Sequence, residues 1–151
     1  MTWYLSCAAL AVGAGSLIAL QATTNTRLRG HLGGTPAAAL WAAFFSVCGT
    51  ILTASAVVAL VRPPAPSLAQ VKQAEWWAWV GGPIGALFVF AGATLLRELG
   101  AGMYAALVVA GQLLFAVVAD HYGWLGLAEQ PLTAGGAAGA VLIVAGVACL
   151  K

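Results

Sequence analysis

The sequence predicts an all-α integral membrane protein, a single transmembrane domain over residues 1–151 with five spanning helices. Composition is the first observation behind this. Of 151 residues, 62% are hydrophobic and 7% charged, with a mean hydropathy of +0.97, whereas soluble domains carry roughly 25% charge. The second is the spacing of apolar runs, at about 3–23, 36–61, 76–96, 100–119 and 133–150, each close to the ~20 residues that cross a hydrocarbon core. A net charge of +2, thinly scattered, gives no clustered basic face for nucleic acid. Cys7, Cys48 and Cys149 are odd in number and set in separate apolar runs, so they read as buried free thiols. With no HExxH, phosphate loop or paired-cysteine motif, no enzyme, metal site or cofactor is expected.

The first helix carries no charge between Met1 and Arg27. A cleaved signal peptide is the competing reading; the missing basic start and the length of the run favour a retained helix. Ala11, Gly15 and Ala19 form a smooth face for close helix contact. Gln21 and Asn25, four apart, share a face. Asn25 reads equally as a residue of the water interface beside Arg27 and Arg29, while Gln21, a turn deeper, reads as facing inward.

Gly30 to Gly34 form a loop in which His31 is solvated, and Thr35-Pro36 opens the second helix as an N-cap followed by proline. Trp41 reads as an interface anchor. Arg62-Pro63-Pro64-Ala65-Pro66 ends this helix and begins the one long linker. Trp76, Trp77 and Trp79 form an aromatic belt where the third helix enters the membrane. Pro83, inside that span, predicts a kink near Trp79. Arg97 to Gly100 make a tight turn into the fourth helix.

The fourth helix is apolar from Gly100 to Ala119 except at Tyr104 and Gln112. A carboxamide at mid-span has donors and an acceptor that lipid cannot satisfy, which marks Gln112 as a binding candidate. Tyr104, Gln112 and Asp120 recur every eight residues and read as one polar stripe. Asp120 and His121 are the acid–base neighbours at the end of that helix, and Asp120 is the better candidate for ion coupling; an ordinary polar helix end with a Trp124 anchor is the alternative. Thr133 caps the fifth helix, where Gly135, Gly139 and Ile143 give a GxxxG-type packing face.

Gln21-x-x-x-Asn25-x-x-Leu28-Arg29, Trp76-Trp77-x-Trp79-x-Gly81-Gly82-x-x-Gly85, Leu99-Gly100-Ala101, Gly111-Gln112-Leu113 with Asp120-His121-Tyr122-Gly123, and Pro131-Leu132-Thr133 together resemble the YdcZ-like branch of the drug/metabolite transporter (DMT) superfamily. The resemblance spans nearly the whole chain. It implies a multi-pass protein of the bacterial inner (plasma) membrane that acts as a secondary transporter of a small organic metabolite or drug-like compound. Larger relatives pair two inverted five-helix repeats, and this chain looks like one such repeat. It departs from the related small multidrug resistance proteins, which carry a membrane-embedded glutamate in the first helix, because here that helix has no acid.

A single repeat encloses too little to gate both ends of a cavity, so the expected unit is an antiparallel dimer of two copies. Arg27, Arg29, Arg97 and Lys151 would lie on one side and Arg62 and Lys72 on the other, a bias small enough to permit both orientations. Gln21, Asn25, Tyr104 and Gln112 are the expected substrate-binding residues. The contrasting reading is a non-transporting assembly or scaffold subunit, and a membrane enzyme built on Asp120 and His121 ranks third.

Overall fold

The computed structural model describes residues 2–150. They form six α-helices: α1 (Thr2–His31), α2 (Pro36–Val61), α3 (Leu68–Gln73), α4 (Gly81–Leu99), α5 (Ala101–Tyr122) and α6 (Ala134–Ala148), with 3-10 turns at Trp76–Trp79 and Trp124–Gly126. The chain is an all-α membrane protein. Four segments are long and apolar enough to cross a membrane: Thr2–His31, Pro36–Val61, Trp76–Leu99 and Ala101–Tyr122. The remaining apolar helix, Ala134–Ala148, has 15 residues, or about 22 Å of rise.

Two units divide at Glu98 and Leu99. In the first, α1 packs on α2. Continuing for 30 residues, α1 runs well past the expected end near Thr23, because Thr24 to Arg29 contain no glycine or proline to stop it. At α2 the expected cap is present: the Thr35 hydroxyl accepts from Ala38 N at 3.1 Å, with Pro36 in the first turn. Arg62, with φ 50°, closes α2 in the left-handed conformation. The linker holds a short helix that the sequence reading did not anticipate, α3, opened by a capping box between Ser67 and Gln70.

Pro83 lies in the first turn of α4, after a separate 3-10 turn over Trp76–Trp79. It therefore begins this helix instead of bending a continuous one, since amides of a first turn have no intrahelical acceptor to lose.

Alanine supplies eight of the ten buried apolar residues among those described, the others being Leu96 and Tyr104. Ala39, Ala42 and Ala93 have no exposure at all, whereas Leu10, Leu52, Leu60 and Leu87 stand outward. This inverts a soluble core. In lipid, outward leucines need no cover, and helices associate where small side chains let backbones approach. The cysteines are free as expected, but Cys7 and Cys149 are exposed and Cys48 half-buried, a placement that lipid tolerates for a small apolar thiol. In the second unit, α5 packs on α6.

Ala42→Leu should separate helices that now touch through methyl groups and destabilise the protein by about 1–3 kcal/mol. Unfolding of the purified protein by sodium dodecyl sulfate titration in micelles would register this as a lower midpoint. An unchanged midpoint would mean that the alanine surface does not hold the first unit together.

Candidate functional site

Gln21, Asn25 and Arg29 follow one another at four-residue spacing and so occupy one face of α1. Asn25 is buried, and its Nδ2 donates to Ser46 Oγ on α2 at 3.1 Å. Gln21, half-buried, donates from Nε2 to the same oxygen at 3.4 Å. One hydroxyl thus ties two amides across the α1–α2 contact. Next to Asn25, Thr26 Oγ1 donates to Ala22 O at 2.9 Å and approaches Gly92 O of α4 at 3.4 Å. Arg29 then reaches α4 directly: Nη1 donates to Ala93 O at 3.2 Å and Thr94 O at 3.1 Å. The same face of α1 joins α2 in its middle and α4 near its end.

Beyond Arg29 the chain turns sharply. Gly34 N donates to Arg29 O at 2.9 Å and Gly33 N to Gly30 O at 3.3 Å, the paired bonds of a Schellman ending. That ending needs a left-handed residue, and Gly33 supplies φ 101°. Gly34, with φ 70°, lies so close to Arg97 that an added Cβ would stand 3.3 Å from Nη1. Arg97 Nη1 donates to Gly34 O at 3.3 Å, holding the end of α4 to the turn. Thr26, Arg29, Gly30, Gly33, Gly34, Thr35 and Arg97 line an open cavity of about 680 Å³. A second, apolar cavity of about 580 Å³ lies between α2 and α4, lined by Leu40, Phe44, Val47, Pro83, Leu87 and Phe90 among others.

In the second unit Tyr104 is buried, Gln112 exposed and Asp120 half-buried. The single polar stripe expected on this helix is not formed. Eight residues advance an α-helix by about 12 Å but also rotate it by roughly 80°, so Tyr104 and Gln112 project on different faces. His121 and Asp120 do not act as a bonded pair: His121 Nδ1 accepts from Leu132 N at 3.1 Å, and Asp120 contributes its backbone oxygen to Gln130 N at 2.8 Å. Both bonds fold the 123–133 loop back on the end of α5. His121 also meets Tyr122 edge-on, and Tyr122 stacks on Trp124.

Of the expected binding residues, then, Gln21 and Asn25 are brought together on Ser46, while Tyr104 and Gln112 belong to the other unit. Ser46, Thr26 and Arg97, and the burial of Arg29, were not foreseen. A signal for two of them existed: Arg29 continues the four-residue stripe of Gln21 and Asn25, and Ser46 is a polar side chain within an apolar span.

Helices that turn leucines outward and hold the Asn25 amide and the Arg29 guanidinium between them define a multi-pass integral membrane protein. Residues 6–149 match the family described as "Putative inner membrane exporter, YdcZ", and the chain belongs to that family. It is accordingly a multi-pass inner membrane protein of a transporter family. No curated protein and no solved structure matches it.

Ser46→Ala should remove both interhelical bonds and leave the buried Asn25 amide unanswered, at a cost of about 1–2 kcal/mol. Detergent unfolding would show the loss, and Ser46→Thr, which restores a hydroxyl, should recover most of it. Equal stability of the alanine variant would reduce the cluster to an incidental contact.

Proposed function

We propose that this chain is a secondary transporter that moves a small organic metabolite or drug-like compound across the inner membrane by alternating access in a dimer. Membership of an inner-membrane exporter family supports transport in general. The observation that carries the finer reading is Gln112. It sits at the middle of a 22-residue apolar helix, yet its side chain is exposed on the single chain. Lipid cannot satisfy a carboxamide at that depth, so another surface or a wet cavity must cover it.

In this proposal a second copy supplies the cover. The small-residue faces read from the sequence are open in the single chain, with nothing within 4 Å of a Cβ placed at Gly15 or Gly139, and both could meet a partner helix. All five apolar helices span, α6 being matched to the bilayer by local thinning or by the loop residues that flank it. The two copies are inserted in opposite orientations, so that each stands for one of the inverted repeats between which alternating access operates. Gln21, Asn25, Tyr104 and Gln112 contribute to the substrate path, with Asp120 rather than the loop-bound His121 as the coupling group. Pro83, by opening α4 next to the apolar cavity, sets the wall of that path. No metal or cofactor is required.

Proteoliposomes offer the direct test, through proton-coupled release of a panel of organic compounds. Gln112→Leu should abolish transport while insertion and dimerisation persist, and Asp120→Asn should flatten its pH dependence. Full transport by the leucine variant would remove Gln112 from the path, and a dimer with no transport activity would favour the scaffold reading.

Single cysteines near the end of α6 and in the 62–75 linker of a cysteine-free protein should each label about half from either side of the membrane. All-or-none labelling would overturn the antiparallel homodimer.

A further inference from the structure

We infer that the cavity between Arg29, Arg97 and the 33–35 turn is an oxyanion-binding site, taking a phosphate or carboxylate group at the end of the first unit. Arg29 carries the argument. It is 6% exposed, its Nη1 is bound to two carbonyl oxygens, and its Nε is buried without an acceptor. A guanidinium removed from water in this way is stable only when its charge is answered. Two neutral carbonyls answer part of its hydrogen bonding, and their dipoles offset only a fraction of its full charge.

No counterion is built into the wall. The lining consists of glycines, Thr26, Thr35 and the two arginines, with no carboxylate. Arg97 adds a second guanidinium, fastened to Gly34 O at 3.3 Å. Helix ends contribute as well, and their balance can be weighed. The start of α2 faces this region through Thr35 with about +0.5 of a charge, while the ends of α1 and α4 each bring about −0.5. Their sum, about −0.5, leaves the two full positive charges of the arginines well in excess.

The geometry suits an oxyanion in particular. A guanidinium presents a planar fork that matches two oxygens of a phosphate or carboxylate. Gly33 and Gly34 keep side chains out of the approach. The cavity's volume, about 680 Å³, is enough for a small organic anion or a lipid headgroup. Both sources offer the same chemistry, and Arg29 lies in the last turn of a 30-residue helix whose rise of about 45 Å exceeds the ~30 Å hydrocarbon core.

The test uses purified full-length protein in neutral detergent micelles, with thermal unfolding followed by tryptophan fluorescence at constant ionic strength. Inorganic phosphate, succinate and short-chain phosphatidylglycerol are titrated separately, against short-chain phosphatidylcholine as the control. Saturable stabilisation by phosphate or succinate is expected if the anion is soluble, and by phosphatidylglycerol alone if it is a lipid headgroup. In Arg97→Gln the apparent affinity for the effective anion should fall at least tenfold. Arg97 is exposed, so its replacement should leave the fold intact; should it not, Arg97→Lys, which keeps the charge and loses the fork, is expected to weaken binding severalfold. Stabilisation by none of the three anions, or equal stabilisation of the wild type and the folded Arg97 variant, would overturn the site. Binding is read here without transport, so its failure and that of the transporter proposal are distinguishable.

Discussion

Hydrocarbon provides no hydrogen-bond partner, and the first unit is arranged around that constraint. The hydroxyls of Ser6, Ser16, Thr23 and Thr24 bond to carbonyls of α1 itself, but its longer polar side chains find their partners on other helices. Asn25 and Gln21 find Ser46, Thr26 approaches Gly92 O, and Arg29 finds the carbonyls of Ala93 and Thr94. These bonds are short-range, so the helices that make them must approach closely. Alanine makes that approach available: Ala38, Ala39, Ala42 and Ala43 of α2 and Ala93 of α4 are buried where a larger side chain would hold the backbones apart. Each interhelical bond contributes only about 0.6 kcal/mol on average, but leaving its donor in lipid is the costly alternative. The polar stripe therefore fixes which face of α1 is interior more firmly than its apolar residues do.

The all-α membrane class and the local start and stop signals were legible in the sequence because they are local physics. Thr35-Pro36 specifies a helix start through one hydroxyl and one fixed φ, and the structure uses both. The proline-rich linker ends α2 for the same kind of reason. What was not legible depended on neighbours distant in sequence. Nothing near Arg29 says that its acceptors lie on Ala93 and Thr94, and the basic residues around it made a solvated interface the natural reading. Likewise, the rotation between Tyr104 and Gln112 follows from 3.6 residues per turn, but which of the two faces inward depends on packing. The span of α6 is open for a comparable reason: its apolar character is plain, while the 15 residues of regular helix fall short of a bilayer's ~30 Å.

The second unit presents a different problem from the first. There, the amides of Gln21 and Asn25 are answered by Ser46; on α5, Gln112 is exposed, and α6 buries no residue at all. Small residues along α6 leave room for a neighbouring backbone, and the space at Gly139 is empty. His121 and Asp120 meanwhile secure the loop that precedes α6, which orders the connection without covering the helix. The second unit thus keeps an exposed amide on α5 and an open small-residue surface on α6.

The placement of charge also limits what such a protein can carry. An interior carboxylate is the strongest partner a membrane protein can offer an organic cation, because an unpaired charge is strongly disfavoured away from water. Yet α1 contains no acid, Glu75 and Glu129 lie in connecting segments, and Glu98 and Asp120 lie at the ends of their helices. The one buried ionic group among the described residues is cationic, Arg29. A positively charged cargo would meet repulsion at this end of the first unit and only neutral amides deeper in. Donors that suit a neutral, zwitterionic or anionic group lie beside the turn, in the guanidinium groups of Arg29 and Arg97, and two turns away at half-exposed Gln21, while the Asn25 amide between them is buried on Ser46. Of these amides, Gln21 is the freer to respond, because it is half-exposed and its bond to Ser46 is the longer of the two.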